Sequence, residues 1–287
     1  MKEDTQKSYE ARLARVLTYI ATHLDEDLTL RELAAVACFS PFHFHRIFRG
    51  MVGESTAEYL RRLRMERAGR ALKNSNRQVL DIAQEAGYDS HEAFSRAFKQ
   101  RYGLSPSQYR LCPYIVFPLS RTNAIKKGAC PMKIRIETIA PKTVAYLRHR
   151  GPYDTCGETW AKLMPLLGER GYLGQADILG LCHDDPESTP PEEVCYDACV
   201  EVKDGFEPFE NLDLQTIAGG TFAVTTHQGP YNTIGTTYAA LFGRWLPQSG
   251  LELRDHPPFE IYLNDPEGTE PEELLTDIYM PLKGREA

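Results

Sequence analysis

A helical pattern occurs twice in this chain, about fifty residues apart. The segments LRELAAVA and VLDIAQEAG each have the periodicity of a short helix, and each is followed by a turn and a second helix. In that second helix Phe44 and Phe48 align with Phe94 and Phe98, four residues apart in both copies, which is the spacing of side chains that pack together. Two short helices joined by a tight turn form a helix-turn-helix, and its repetition is far more specific than a single match.

Local signals mark where these helices begin. Thr29 precedes the first helix and Glu32 follows three residues later, which is the capping-box pattern. Ser40 and Pro41 supply an N-cap and a first-position proline for the next helix. Between the two copies, residues 56–73 read as a basic helix roughly 27 Å long at 1.5 Å per residue. The first part of the chain therefore predicts an all-α domain with two helix-turn-helix motifs.

The rest of the chain also repeats itself, with a different pattern. HRGPYDT at 149–155 is followed 78 residues later by HQGPYNT at 227–233. Each copy reads as a strand, a Gly-Pro turn, a helix, a strand, an acidic loop and a strand. This order predicts an α+β domain of two pseudo-symmetric repeats around an antiparallel sheet. A cleft between the two units is a natural ligand site.

Charge divides the chain at the same place. The whole sequence carries a net charge of −7, yet residues 1–112 are net positive and residues 113–287 are net negative. A basic region favours nucleic acid, whereas an acidic region favours cationic ligands. We therefore predict two domains with different partners, residues 1–112 and residues 131–287, joined by a linker without clear periodicity at 113–130.

The sequence also argues against several classes of protein. No apolar run approaches the ~18 residues of a membrane span, and the first thirty residues lack the apolar core of a signal peptide. Seven cysteines without a CxxC pair are not a disulfide framework, and the histidines are scattered. We expect a cytoplasmic protein without a metal or another cofactor.

Residues 27–110 resemble the DNA-binding domain of AraC/XylS-type transcription regulators. The resemblance is carried by LRELAAVACFS, EYLRRLRMERAGRAL and IAQEAGYDSHEAFSRAFKQRYGLSPSQYR. It implies seven helices, with two recognition helices that enter successive major grooves of promoter DNA, ~34 Å apart. RNA polymerase is a further candidate partner. The side chains expected at the DNA are Phe42, His43, His45, Arg46 and Arg49 in the first recognition helix, and His91, Glu92, Ser95, Arg96 and Lys99 in the second.

Residues 131–283 resemble the GyrI-like small-molecule-binding domains. The resemblance is carried by the paired HRGPYDT and HQGPYNT turns, by EIYLNDPEGTEPEE and by LLTDIYMPL. It implies a central pocket for diverse, often cationic and aromatic compounds, with an acidic residue of the last strand inside it. That position matches Asp277, and strand alternation puts Tyr279 on the same face. The residues expected at the effector site are Tyr153, Trp160, Asp197, Tyr231, Tyr238, Tyr262, Asp277 and Tyr279, with Asp197 either the pseudo-symmetric counterpart of Asp277 or a structural partner of a backbone amide.

Three functions fit these features. The first is a transcription regulator that reads a promoter through the double helix-turn-helix and senses a small molecule through its C-terminal domain. The second is a GyrI-like hydrolase in which Asp277 and Tyr279 form an acid–base pair. The third is a protein that sequesters a toxic compound, with DNA binding secondary. Fusion to a DNA-reading domain favours the first, and nothing in the sequence resembles a nucleophile–base constellation.

Overall fold

Residues 2–112 fold into seven helices, which confirms the predicted all-α domain. The computed structural model describes residues 2–112, 132–173, 176–184, 189–203 and 205–284, so the predicted linker at 113–130 lies outside the described residues. Within the described ranges, no helix combines the length and the apolar character needed to cross a bilayer. The helices are α1 (Lys2–Thr22), α2 (Leu30–Ala37), α3 (Pro41–Val52), α4 (Thr56–Asn74), α5 (Val79–Glu85), α6 (His91–Tyr102) and α7 (Pro106–Leu111).

The capping signals in the sequence set the ends of these helices. The Thr29 hydroxyl accepts from the backbone N–H of Glu32 at 3.2 Å, and the Glu32 carboxylate accepts from the backbone N–H of Thr29 at 2.8 Å. Gly53 and Gly103 end α3 and α6 with φ of 88° and 75°, a left-handed conformation that glycine adopts without steric cost. The two recognition helices therefore end at equivalent positions.

Each helix-turn-helix has its own hydrophobic core. The two phenylalanines of α3 are buried with Ile20 of α1, and those of α6 are buried with Leu72 of α4. Burial of a side chain of this size contributes about 1.5–3 kcal/mol, so the four aromatic rings are a main source of stability in the helical domain.

The second domain is built on one antiparallel sheet. Its elements are β1 (Arg135–Ile139), β2 (Lys142–Arg150), α8 (Gly157–Gly168), β3 (Ile178–Cys182), β4 (Cys195–Glu201), β5 (Asp213–Ile217), β6 (Gly220–Gln228), α9 (Ile234–Ala240), α10 (Leu246–Ser249), β7 (Phe259–Tyr262) and β8 (Leu275–Pro281). The strand order is β1-β6-β8-β7-β3-β4-β2-β5. This order consists of two equivalent sets of four strands that meet at β7 and β3, which confirms the predicted pseudo-symmetric α+β fold. A π-helical turn at Leu241–Trp245 joins α9 to α10.

The two faces of this sheet have different surroundings. Helices cover one face, where Leu163 of α8 is buried with Ala198 of β4 and Leu241 of the π-helical turn is buried with Ile278 of β8. The other face carries a core in which all the buried members come from strands, among them Phe259. Because that core is buried without a helix in its cluster, the curl of the sheet itself covers it.

The helical domain and the sheet domain share a hydrophobic core. Tyr9 of α1 and Ile47 of α3 are buried in one cluster with Phe242 of the π-helical turn. Where α3 crosses this turn, a Cβ added to Gly50 would lie only 2.5 Å from the Cα of Gly243. The two backbones approach this closely because neither position carries a side chain.

Candidate effector cage and DNA-binding surface

A buried carboxylate lies at the centre of the sheet, on the face that the helices cover. Glu260 of β7 is 6% exposed and pairs with Gly180 of β3, where the two repeats meet. The Tyr238 hydroxyl donates to Oε1 of Glu260 at 2.9 Å, and the Tyr262 hydroxyl donates to Oε2 at 3.0 Å. Among the described residues, this carboxylate has hydrogen-bond donors but no cationic partner within 4.0 Å.

Aromatic side chains surround Glu260. Trp160 of α8 and Tyr231 both meet Tyr262 edge-on, with ring centroids 5.7 and 5.4 Å away. Tyr196 of β4 accepts from the indole N–H of Trp160 at 3.2 Å, and its hydroxyl lies 2.8 Å from that of Tyr262. Because Tyr262 donates its single proton to the carboxylate, Tyr196 donates to Tyr262, and the three side chains form a relay of donors toward Glu260. We call the following set the aromatic cage: Glu260 with Tyr153, Trp160, Tyr196, Tyr231, Tyr238 and Tyr262.

The missing side chain of Gly180 makes room for this relay. A Cβ at this position would collide with the hydroxyl oxygen of Tyr262 and would lie 2.6 Å from that of Tyr196. Both phenol hydroxyls therefore rest directly against the backbone of β3, at the level of Glu260.

Burial determines the protonation of the cage. Burial raises the pKa of Glu260 above its usual range, and the hydrogen bonds from Tyr238 and Tyr262 offset only part of this shift. Burial also raises the pKa of both tyrosines, which therefore remain protonated donors. An ionised carboxylate in such surroundings is costly unless a positive partner accompanies it. The cage is thus suited to a ligand that brings a positive charge.

A positive charge from the helical domain lies beside the cage. Arg46 of α3 is 8% exposed, and its guanidinium carbon lies 4.9 Å from the ring centroid of Tyr238. The guanidinium also lies 5.9 Å from the ring centroid of Phe242, on which His43 stacks. The positive charge of Arg46 acts on Glu260 by lowering its pKa against the larger effect of burial. The first recognition helix therefore contacts the sheet domain through side chains that are predicted to reach DNA.

The two recognition helices differ in exposure. In α6 the side chains of His91, Glu92, Arg96 and Lys99 are exposed and Ser95 is half-buried. In α3 the side chain of Arg49 is exposed and Phe42 is half-buried, whereas His43, His45 and Arg46 are buried. Burial lowers the pKa of His43 to about 3 and that of His45 well below its usual value, so both imidazoles are neutral here.

The basic helix α4 uses several arginines within the protein. Arg64 donates to the backbone carbonyl of Leu24 at 2.8 Å, and Arg62 pairs with Glu54 at 2.7 Å. Arg67 pairs with Asp25 at 2.7 Å. These contacts hold α4 in place between the two helix-turn-helix units.

Known protein families match both parts of the chain. A family described as a helix-turn-helix domain matches residues 33–111, and a family described as a GyrI-like small molecule binding domain matches residues 132–283, more than half of the chain. The chain belongs to the GyrI-like family. Its helix-turn-helix domain is of the AraC type.

Several of the similar proteins are named as transcription regulators. The probable transcriptional regulator YgiV of Escherichia coli is 32% identical over 145 residues, which cover 48% of this chain and 89% of YgiV. The transcriptional activator AarP of Providencia stuartii is 37% identical over 34% of this chain and 73% of its own length. The regulator YbfP of Bacillus subtilis is 39% identical, but the match spans only 35% of YbfP and 36% of this chain. Among solved structures, EcmrR in its DNA complex covers 89% of this chain and 99% of its own, with 16% identity and a TM-score of 0.46.

The structure brings together five of the eight side chains that were expected at the effector site of the GyrI-like domain. They are Tyr153, Trp160, Tyr231, Tyr238 and Tyr262. Asp277 and Tyr279 share a face of β8, as expected, but this face belongs to the strand-built core. There Asp277 pairs with Arg135 at 2.6 Å. Glu260 lies instead opposite Ile278, so the acid in the cage is Glu260 and not the expected Asp277.

Asp197 lies on the same face as Asp277 and is also paired with an arginine. It accepts two hydrogen bonds from Arg148 at 2.8 and 2.9 Å and one from His183 at 2.7 Å. Burial raises the pKa of Asp197, but these bonds together outweigh burial and lower it to about 2. The ligand atoms of His183, Cys195 and Asp197 lie within 4.8 Å of one another. Since Arg148 donates to both carboxylate oxygens of Asp197, we interpret Asp197 as one half of an ion pair within the protein.

Three residues of the site were not predicted from the sequence. They are Glu260, Tyr196 and Cys182, whose Sγ lies 3.7 Å from Oε1 of Glu260. The sequence carries a signal for Glu260 and for Tyr196. Glu260 is a lone acid within the apolar segment PPFEIYL, and Tyr196 occupies the phase opposite to Asp197 in its strand.

Proposed function

We propose that the protein is a DNA-binding transcription regulator whose GyrI-like domain binds an aromatic cation in the aromatic cage. The observation that carries this proposal is the Glu260 carboxylate, which is buried among aromatic rings and has no cationic partner within 4.0 Å among the described residues. A cation placed there gains attraction from the carboxylate and from the electron-rich faces of the rings.

The chemistry of the cage favours a cation over a neutral ligand. The phenol hydroxyls of Tyr238 and Tyr262 already donate to Glu260, so its hydrogen-bonding needs are satisfied, but its ionised form has no opposite charge to compensate it. A neutral ligand fills space but leaves that charge buried, whereas a cation compensates it. The aromatic walls add a preference for a flat or quaternary cation that lies against a ring face.

The DNA-binding part of the proposal rests on the helical domain. It carries two helix-turn-helix units, and the exposed side of α6 presents His91, Arg96 and Lys99. Arginine at such a position pairs with guanine or with phosphate. The relatives YgiV and AarP are named as transcriptional regulators. Promoter DNA, and RNA polymerase at that promoter, are the partners that such a function requires.

The contacts of Asp277 and Tyr279, which the sequence suggested as an acid–base pair, do not favour catalysis. Asp277 is held by Arg135 on the face opposite to the cage, and Tyr279 stacks on Phe259 with ring centroids 4.7 Å apart.

Calorimetric titration tests the cage with two ligands of the same shape and different charge. Phenyltrimethylammonium is the cation, and tert-butylbenzene is its neutral counterpart. We expect Glu260→Gln to weaken the cation by tenfold or more, about 1.4 kcal/mol, and to leave the neutral ligand within a factor of two. Asp277→Asn is the matched control, because it removes a buried carboxylate from the other face, and it should leave both affinities unchanged. Equal losses for both ligands in Glu260→Gln, or no binding of the cation to the unmodified protein, would refute a cation site.

A further inference from the structure

We propose that Arg46 is an internal competitor of the effector: it lies against the aromatic cage in this structure, and its release by a bound cation frees the first recognition helix for DNA. The identity of the effector as a cation rests on the proposed function above. The coupling between the two domains rests on separate contacts.

The first contact is a direct line from the guanidinium to the acid of the cage. Arg46 lies 4.9 Å from the ring centroid of Tyr238, and the hydroxyl of the same tyrosine donates to Glu260 at 2.9 Å. One aromatic side chain therefore touches the cation of the helical domain at its face and the carboxylate of the cage at its edge. A second cation bound at Glu260 competes with Arg46 for this ring and repels its charge.

The second contact fixes α3 as a whole. Ile47 and Phe242 are buried in the core that the two domains share, and Gly50 meets Gly243 backbone to backbone. A recognition helix needs its outer side chains to reach base edges in the major groove. In α3 that side holds His43 and Arg46, and both are buried against the sheet domain. The first helix-turn-helix is therefore closed in this structure.

The second recognition helix provides the contrast. Arg96 stands in α6 where Arg46 stands in α3, and Arg96 is exposed. Closure thus affects one of the two DNA-reading helices and leaves α6 accessible. The protein without effector should bind DNA through α6 alone, and the protein with effector should bind through both helices. Because coupling between two ligands is reciprocal, DNA should also raise the affinity for the cation.

A substitution at the crossing of α3 and the π-helical turn tests the closure without any ligand. Gly243→Leu places a side chain where a Cβ would already collide with the backbone of Gly50. Gly235→Leu is the matched control, since Gly235 lies in the neighbouring α9 with open space around it. The readout is fluorescence anisotropy of the full chain on a random-sequence 40-base-pair duplex over a series of salt concentrations. Thermal unfolding confirms that each variant is folded.

We expect Gly243→Leu to bind this duplex at least tenfold more tightly than the unmodified protein. Its affinity should also fall more steeply with salt, because a second helix in the groove neutralises more phosphates. Gly235→Leu should match the unmodified protein in both respects. A folded Gly243→Leu protein with unchanged affinity and salt slope would overturn the proposal.

A second experiment removes the competitor itself and measures the cage. Arg46→Gln should bind phenyltrimethylammonium at least tenfold more tightly, whereas Arg96→Gln should leave that affinity unchanged, because Arg96 is exposed on α6. Saturating cation should raise the DNA affinity of the unmodified protein and leave that of Gly243→Leu unaltered. Unchanged or weaker cation binding in Arg46→Gln overturns the competition. If the cation binds neither the unmodified protein nor any variant, the proposed function fails, and the DNA affinity of Gly243→Leu alone decides whether the first helix-turn-helix is closed. If Gly243→Leu does not fold, the cation affinity of Arg46→Gln decides whether Arg46 competes with the effector.

Discussion

Replacement of Gly180 by alanine is the smallest change that reaches the centre of the cage. The added methyl group would overlap the hydroxyl of Tyr262 and lie 2.6 Å from the hydroxyl of Tyr196. These oxygens are not mobile ends of exposed side chains. Both are hydrogen-bonded, and Tyr196 is 3% exposed. We therefore expect the two tyrosines to move and their bonds to break, rather than a simple adjustment of rotamers.

The size of the effect follows from two contributions. Forcing extra volume into a packed interior costs about 1–3 kcal/mol. Loss of the bond from Tyr262 leaves one oxygen of the buried Glu260 without a donor, which costs about 1–3 kcal/mol more. Gly180→Ala should thus lower the free energy of unfolding of the sheet domain by about 2–6 kcal/mol. At about 2–4 °C for each kcal/mol in a domain of this size, the melting temperature should fall by roughly 4–24 °C.

Differential scanning calorimetry of the full chain measures this directly. Gly235→Ala is the control, because a Cβ there meets nothing within 4 Å and alanine favours a helix by up to about 1 kcal/mol. It should leave the melting temperature unchanged or raise it slightly. A loss below about 0.5 kcal/mol for Gly180→Ala would show that the cage accommodates the methyl group. The missing side chain of Gly180 would then not be what positions the two hydroxyls.

Further predictions concern charge and pH. Burial raises the pKa of Glu260, which Tyr196, Tyr238, Tyr262, Cys182 and Arg46 face. The affinity for phenyltrimethylammonium should therefore rise as pH increases through that raised pKa, because the carboxyl group then loses its proton. Calorimetric titrations over a series of pH values check this, and the affinity of Glu260→Gln should not change with pH. The pKa of Glu260 is higher in the folded state than in the unfolded state. The stability that its bound proton contributes is therefore present at low pH and is lost as pH rises through the folded-state pKa. Glu260→Gln should be the more stable protein at neutral pH, as measured by denaturant unfolding. The pKa of Asp197 is shifted in the opposite direction, from the ordinary value of 3.8 down to about 2. The stability that its ionised form contributes is therefore present above pH 3.8 and is lost as pH falls toward 2. In acid unfolding, Asp197→Asn should lack this loss of stability. Arg96→Ala should weaken binding to a selected cognate site by about 1–3 kcal/mol if it reads a base, which competition against random DNA would show; equal losses on both DNAs would make it a phosphate contact.

Local sequence patterns were sufficient for the helical domain. The capping box of Thr29 and Glu32 and the glycines at 53 and 103 act within a few residues of themselves, so their effect does not depend on the rest of the fold. The paired phenylalanines of α3 and α6 mark the buried side of each recognition helix for the same reason. The repeated strand–helix–strand pattern likewise predicts the pseudo-symmetric sheet, since each repeat contains the same local signals.

The acid of the cage shows where a local pattern stops. Alternation correctly places Asp277 and Tyr279 on one face of β8, because successive side chains of a strand point to opposite faces. Alternation does not say which face the helices will cover. That choice depends on the packing of α8 and α9 across the whole sheet, and it puts Glu260 and Tyr196 in the cage and Asp277 beside Arg135.

Neighbours along the chain specify the element types of the two domains, the helix ends and the residues that share a face, and these properties can therefore be predicted from local patterns. The contact of Arg46 and His43 with the sheet domain instead depends on how the two domains pack. Their spacing in α3 marks an outward-facing side of the helix. Interactions within the helix do not determine whether this side contacts DNA or another part of the protein. It is the approach of Gly50 to Gly243, nearly two hundred residues apart in the chain, that turns this side toward Tyr238. Contacts at such separation depend on how complete domains fit together, and no local pattern encodes that fit.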